Sequence, residues 1–152
     1  MDAGTERIFV SIVILNLLLI GCTGVRPANL GIKDGKLAPC PSTPNCVSSQ
    51  STDRGHAVEP LSFPGTATEA HAEITKIILS MKRSRIITET DSYIHAEFTS
   101  AVFRFVDDVE FWFDESRKLI HLRSASRLGH SDHGVNRKRV EDIRARWKAS
   151  GR

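Results

Sequence analysis

The sequence predicts an α+β fold, in which an antiparallel sheet of about four strands carries two helices on one face, in the order α-β-β-β-β-α. A loop-rich segment bearing a disulfide precedes these elements. Three observations predict this: a capped amphipathic stretch near residues 66–81, four strand-like runs between Arg85 and Ala125 joined by short polar turns, and a second helical period from Arg137 onward.

The first helix has both a start signal and a face. Thr66-Ala67-Thr68-Glu69 has the Thr-x-x-Glu spacing of a capping box, just after Pro64-Gly65. Ala70, Ile74, Ile77, Ile78 and Met81 then share one stripe, with Glu73, Lys76 and Ser80 elsewhere. Arg85–Thr90 and Tyr93–Thr99 flank Asp91-Ser92, the place for a tight hairpin turn. In the second of these runs Ile94, Ala96 and Phe98 alternate with Tyr93, His95 and Glu97, the period of a half-buried strand. Phe103 and Phe105 lead to Asp107-Asp108, after which Val109, Phe111 and Phe113 alternate with Glu110 and Trp112. A turn at Glu115-Ser116-Arg117 opens the last strand, Lys118 to Ala125, and Val140, Ile143 and Trp147 follow at helical spacing behind Asn136 as N-cap.

The chain has 152 residues, room for one domain, and 40% hydrophobic content with seven Phe is enough for a core. Ile8–Ile20 is an apolar run of 13 residues, broken only by Ser11 and Asn16. A membrane-spanning helix needs roughly 20 residues, so the run suits a signal peptide instead. Leu19-Ile20-Gly21-Cys22 follows and resembles the bacterial lipobox, in which the cysteine thiol takes a diacylglycerol. The competing readings are a plain cleaved signal and an uncleaved anchor. The division expected is therefore 1–21 signal peptide, 22–30 tether and 31–152 a single domain, attached to the membrane through palmitate-type lipid on Cys22. Thr23 stands where Asp would signal inner-membrane retention, which points to the outer membrane, facing the periplasm.

The cysteines number three. With Cys22 lipidated, Cys40 and Cys46 remain, and in an oxidising compartment a disulfide is the default. A redox-active pair is the alternative, but the spacing is C-x5-C, not C-x-x-C. Gly31–Pro60 otherwise shows no helical or strand period.

Charge is unevenly spread. Glu89–Glu115 holds eight acids and one base, whereas Arg117–Arg152 holds eleven bases and three acids. Arg137, Lys138 and Arg139 crowd the start of the last helix, where the macrodipole disfavours cations, so an anionic group should compensate. Arg123, Arg127, Arg137 and Arg139, with hydroxyl donors from Ser124 and Ser126, are candidates for binding a phosphate, a carboxylate or a lipid headgroup. Alternatively they pair internally with Asp107, Asp108 and Glu110.

Four sets of residues carry a family resemblance. They are Asp34-Gly35-Lys36-Leu37, Cys40-Pro41-x-x-Pro44-Asn45-Cys46-Val47-Ser48-Ser49, Phe105-x-Asp107-Asp108-Val109-Glu110-Phe111, and Arg123-Ser124-Ala125-Ser126-Arg127 with Asp132-x-Gly134-x-Asn136-Arg137-x-Arg139-x-Glu141. Together they resemble domain-of-unknown-function family 1499 over residues 30–148. The resemblance implies a bacterial envelope lipoprotein or a related membrane-associated protein, and it implies no activity, substrate or cofactor. At His130 and His133 the chain departs from the family pattern.

Two functional classes follow. One is a non-catalytic envelope module binding an anionic component or a protein partner. The other is a hydrolase or metal-dependent enzyme acting at the Arg/His/Asp loop, residues 123–139. His130, Asp132 and His133, with His121, have zinc-capable side chains but lack an orienting period, and solvated turn residues are the simpler reading. There is no G-x-S-x-G elbow, no cofactor or metal is expected, and the export signal argues against nucleic acid.

Overall fold

A computed structural model describes residues 23–151, so the expected signal peptide, residues 1–21, and Cys22 lie outside the described residues. The elements are β1 (Cys46–Ser48), β2 (Leu61–Ser62), α1 (Ala67–Ser80), β3 (Ser84–Thr90), β4 (Tyr93–Thr99), β5 (Val106–Asp114), β6 (Leu119–Ser126) and α2 (Val135–Ala149). The fold is α+β. Its sheet runs β1-β6-β5-β4-β3, with antiparallel pairing throughout. β3–β6 are the four strands that alternation predicts. β1 and β2 add two short strands along the outer edge of β6, from a stretch that carries no strand period because each is only two or three residues long.

The capping box forms as expected: Thr66 accepts from the Glu69 amide while the Glu69 carboxylate accepts from the Thr66 amide. Ala70, Ile74, Ile77 and Ile78 of α1 and Val140, Ile143 and Trp147 of α2 are buried on one face of the sheet. They meet Ile94, Ala96, Phe98, Val109, Phe111, Phe113, Ile120 and Leu122 in one core. The Cys40–Cys46 disulfide is formed, with the Cα atoms 5.6 Å apart. Among the described residues no helix is long and apolar enough to cross a membrane.

Two expectations are corrected. β4 is not half-buried: Tyr93, His95 and Glu97 are as buried as the residues between them. The reason is a strap, residues 23–40, that covers the second face of the sheet. Nor is Asn136 the N-cap of α2. The helix begins at Val135 behind Gly134, whose φ of 79° suits glycine. Asp132 does the capping, accepting from the amides of Gly134 and Asn136. Asn136 instead turns its side chain inward and is fully buried.

Candidate functional site

The pleat divides the polar residues of β4, β5 and β6 between two faces. On the strap face the register places Glu97 opposite Asp108, His95 opposite Glu110, and Glu110 opposite Arg123. Three carboxylates are thus gathered under cover, and such a layer is stable only if each is paired. Arg127 forks onto Asp108, with Nε 2.8 Å and Nη2 2.7 Å from its two oxygens, and also reaches Glu97. Arg26 of the strap and Arg85 of β3 complete the set on Glu97, at 2.7 and 2.9 Å. His95 contacts Asp108 at 2.8 Å. Glu110, fully buried, accepts from the Tyr93 hydroxyl, the Gly31 amide and Arg123.

These contacts set the protonation states. Burial pushes the Glu97 carboxyl up, but hydrogen bonds from Arg26, Arg127 and Arg85 outweigh it and hold the pKa at about 2. Asp108 is likewise lowered, Arg127 and His95 overcoming its desolvation. Burial and the Glu110 charge raise the Tyr93 phenol. Burial also lowers His121, which stacks on Trp112.

On the helix face lies a separate polar knot. Arg139 of α2 donates to Asp107, Ser124 and Asn136, and its guanidinium sits over the Phe98 ring. Asn136 donates to Ser126 and to the Asn45 carbonyl, tying α2 to β6 and to the disulfide loop. Arg137 joins neither cluster; its two terminal nitrogens donate to the carbonyls of Ala57 and Gly55, each at 2.9 Å.

The structure thus splits the six candidate residues. Arg123 and Arg127 lie under the strap, Ser124, Ser126 and Arg139 lie under α2, and Arg137 clamps a loop. The acids split with them, Asp108 and Glu110 on the strap face and Asp107 on the helix face. Of the cations at the start of α2, Arg139 is met by Asp107, while Asp132 supplies negative charge to the helix amides themselves, both acids coming from this chain. Ser124 and Ser126 bond to Asn136, not to a histidine. Among the described residues no group of three or more His, Cys, Asp or Glu is placed to hold a metal ion.

A family model described as "Protein of unknown function (DUF1499)" matches residues 36–146. The chain belongs to this family. No curated protein and no solved structure matches it. The DUF1499 match takes in the disulfide loop, the sheet, the helix-face cluster and nearly all of α2, and all of the strap-face cluster except Arg26 and Gly31, since it begins after most of the strap.

A cleft lies between the strap and the loop that Arg137 clamps, with a volume of about 890 Å³. Lys33, Lys36 and Leu37 line one side, Ser48, Gln50, Asp53 and His56 the other, and the disulfide loop one end. Ser48 is the cross-strand neighbour of Arg123, whose Nε is buried with no hydrogen-bond partner among the described residues. Gln50 braces the cleft, accepting from the Leu37 amide and donating to the Gly35 carbonyl. His56 faces Asp53 through Nδ1 and the Thr43 carbonyl through Nε2. Lys33 and Lys36 form no ion pair among the described residues. Sequence reading missed this cleft because its walls are loops without period; the Asp34-Gly35-Lys36 turn was the available signal.

Proposed function

We propose that this DUF1499 chain is a lipid-anchored protein of the bacterial envelope, working as a non-catalytic module that takes an anionic envelope component in the cleft. The observation that carries this is how the cations are distributed. Arg123, Arg127 and Arg139 hold acids of their own chain and Arg137 holds its carbonyls, whereas Lys33 and Lys36 frame an open cleft with no acid bound to them. Cations already paired under cover are costly to withdraw, while exposed lysines can meet a ligand's charge without breaking the fold. The lipobox-like Leu19-Ile20-Gly21-Cys22 supports the anchor, and Thr23 supports the outer membrane as destination. The enzymatic alternative has no observation in its favour, since Asp132 caps α2 and the outer nitrogen of His56 is bonded to a carbonyl.

The test is thermal melting of the exported protein with inorganic phosphate. Wild type should gain in Tm with concentration, by mass action. The Lys33→Ala/Lys36→Ala double variant should gain much less, and Lys148→Ala, on the far helix, should behave as wild type. Equal gains in all three would sink the cleft reading. For the anchor, Cys22→Ser should abolish labelling by radioactive fatty acid, and persistent label would refute it.

A further inference from the structure

We infer a second membrane contact: a fixed apolar edge of the domain lies on the lipid surface beside the anchor. This rests on the lipid attachment proposed above. The edge is formed where the β4–β5 loop and the end of β6 meet. Phe103 is 66% exposed and Val102 79%, and Phe105 and Leu128 are each more than a third exposed. The Phe103 and Phe105 rings stack 5.6 Å apart. The β5–β6 pairing runs Asp107 to Ser126 and continues through the Arg127 amide bonded to the Val106 carbonyl. Phe105 and Leu128 are therefore the next pair along, side by side at the end of the sheet.

These residues are held in place. The Ser100 amide donates to the Phe105 carbonyl and the Phe105 amide to the Ser100 hydroxyl, closing the loop at its neck. Arg104 is fixed at its tip with φ of 59°, the left-handed region that a non-glycine residue enters at a cost. A rigid loop exposing two stacked aromatics and a cation has the composition of an interfacial membrane contact, in which rings enter the headgroup boundary and the guanidinium meets lipid phosphate. Arg83, bonded to the Thr99 carbonyl at the same end of the sheet, adds a second cation.

The position of the anchor selects lipid over a protein partner. Gly24 is packed on this same edge: a Cβ built there would lie 3.1 Å from Cγ of Leu128. A lipid on Cys22 would be joined to the chain only two residues before Gly24. A diacylglycerol on Cys22 leaves no tether between the bilayer and Leu128. The strap cannot supply slack, because Arg26 is bound to Glu97 and Gly31 to Glu110. The anchor thus draws Leu128, Phe105 and Phe103 onto the membrane, with the sheet standing on one end.

The experiment uses the full chain, purified as exported and reconstituted in vesicles of phosphatidylethanolamine and phosphatidylglycerol with brominated acyl chains. Phe103→Trp and Leu79→Trp are compared with wild type, Leu79 being an exposed residue of α1. The added Trp at 103 should emit further to the blue and lose most of its emission to bromine, whereas that at 79 should keep both its emission and its wavelength. Fatty-acid label is measured on the same samples. Labelled protein whose Trp at 103 behaves like that at 79 overturns the membrane contact while leaving the anchor standing. Absence of label from wild type overturns the anchor, and this inference with it.

Discussion

On the helix face of the sheet Ile94, Ala96, Phe98, Val109 and Phe111 pack against α1 and α2, and burial alone accounts for their arrangement. On the strap face, at alternate positions of the same strands, Tyr93, His95, Glu97, Asp108 and Glu110 are equally hidden. There the cover is not a helix but a strap of irregular chain, fastened by Arg26 and by the Gly31 amide. Apolar packing is non-directional and tolerates small shifts. The ionic layer needs each fork to meet its acid, so one side of the sheet is, apart from the Arg139–Asp107 knot, a filled volume and the other a set of specific partners.

The largest effects should come from breaking each side once. Arg127→Ala leaves Asp108 and Glu97 buried with their main partner gone, which should cost about 3–5 kcal/mol at neutral pH in urea unfolding. Phe111→Ala, on the helix face, should cost a similar 3–5 kcal/mol through lost transfer energy and a cavity. Acid separates the two. As the carboxylates protonate, the Arg127→Ala penalty should shrink, while the Phe111→Ala penalty should stay level. Parallel pH profiles would mean that the strap face is not held by charge.

Wild type should show the same chemistry in its acid limb. The folded pKa of Glu97 lies below its ordinary value, falling from 4.5 to about 2. A depressed carboxylate stabilises above the unfolded pKa, and that contribution is lost as pH falls through the folded one. The loss should therefore fall between pH 4.5 and about 2, on the order of 3 kcal/mol from Glu97, with Asp108 adding in the same direction. Glu97→Gln should flatten this limb, measured by urea unfolding at stepped pH. An unchanged limb would assign acid sensitivity elsewhere.

The helix face was legible in the sequence and the strap face was not, for a physical reason. Ile74, Ile78, Val140 and Trp147 recur at a period set by their own helices, and Thr66 and Glu69 mark a helix start within four residues. Tyr93, His95 and Glu97 also alternate, but alternation does not reveal whether a polar face meets solvent or a covering chain from far along the sequence. Arg26 and Glu97 are 71 positions apart, and no local pattern joins them. The acidic and basic halves raised pairing between β5 and β6 as one reading, and the register sets Glu110 opposite Arg123. Asn136 illustrates the opposite error: a good capping residue by type, it was drawn inward by Ser124 and Asn45 while Asp132 took the cap.

Opening the disulfide should have a smaller effect, because the loop it closes spans only six positions. Cys40→Ser/Cys46→Ser should cost about 2 kcal/mol in the chain-entropy model, read as a lower urea midpoint. Because Asn136 and Gly129 also hold Asn45 within this loop, the domain should still fold. Collapse of the native state would show that the disulfide does more than restrict the unfolded chain.

The smallest change tests whether the strap belongs to the strap-face layer or only rests on it. Gly24 has φ of 67° and approaches so closely that an added Cβ would stand 2.9 Å from Cβ of Arg127. Gly24→Ala therefore meets both a left-handed backbone and a contact with the arginine at the centre of the layer. The backbone conformation alone costs about 1–2 kcal/mol. If the strap is integral, relief of this strain by lifting residue 24 should disturb its neighbours, and the Gly31 amide should exchange with deuterium faster because its bond to Glu110 opens more often. Amides of β5 should keep their protection, since the helix face is untouched. Were the Gly31 amide to exchange as in wild type, the first residues of the strap would be separable from the layer, and Arg26 would stand alone as its fastening to Glu97.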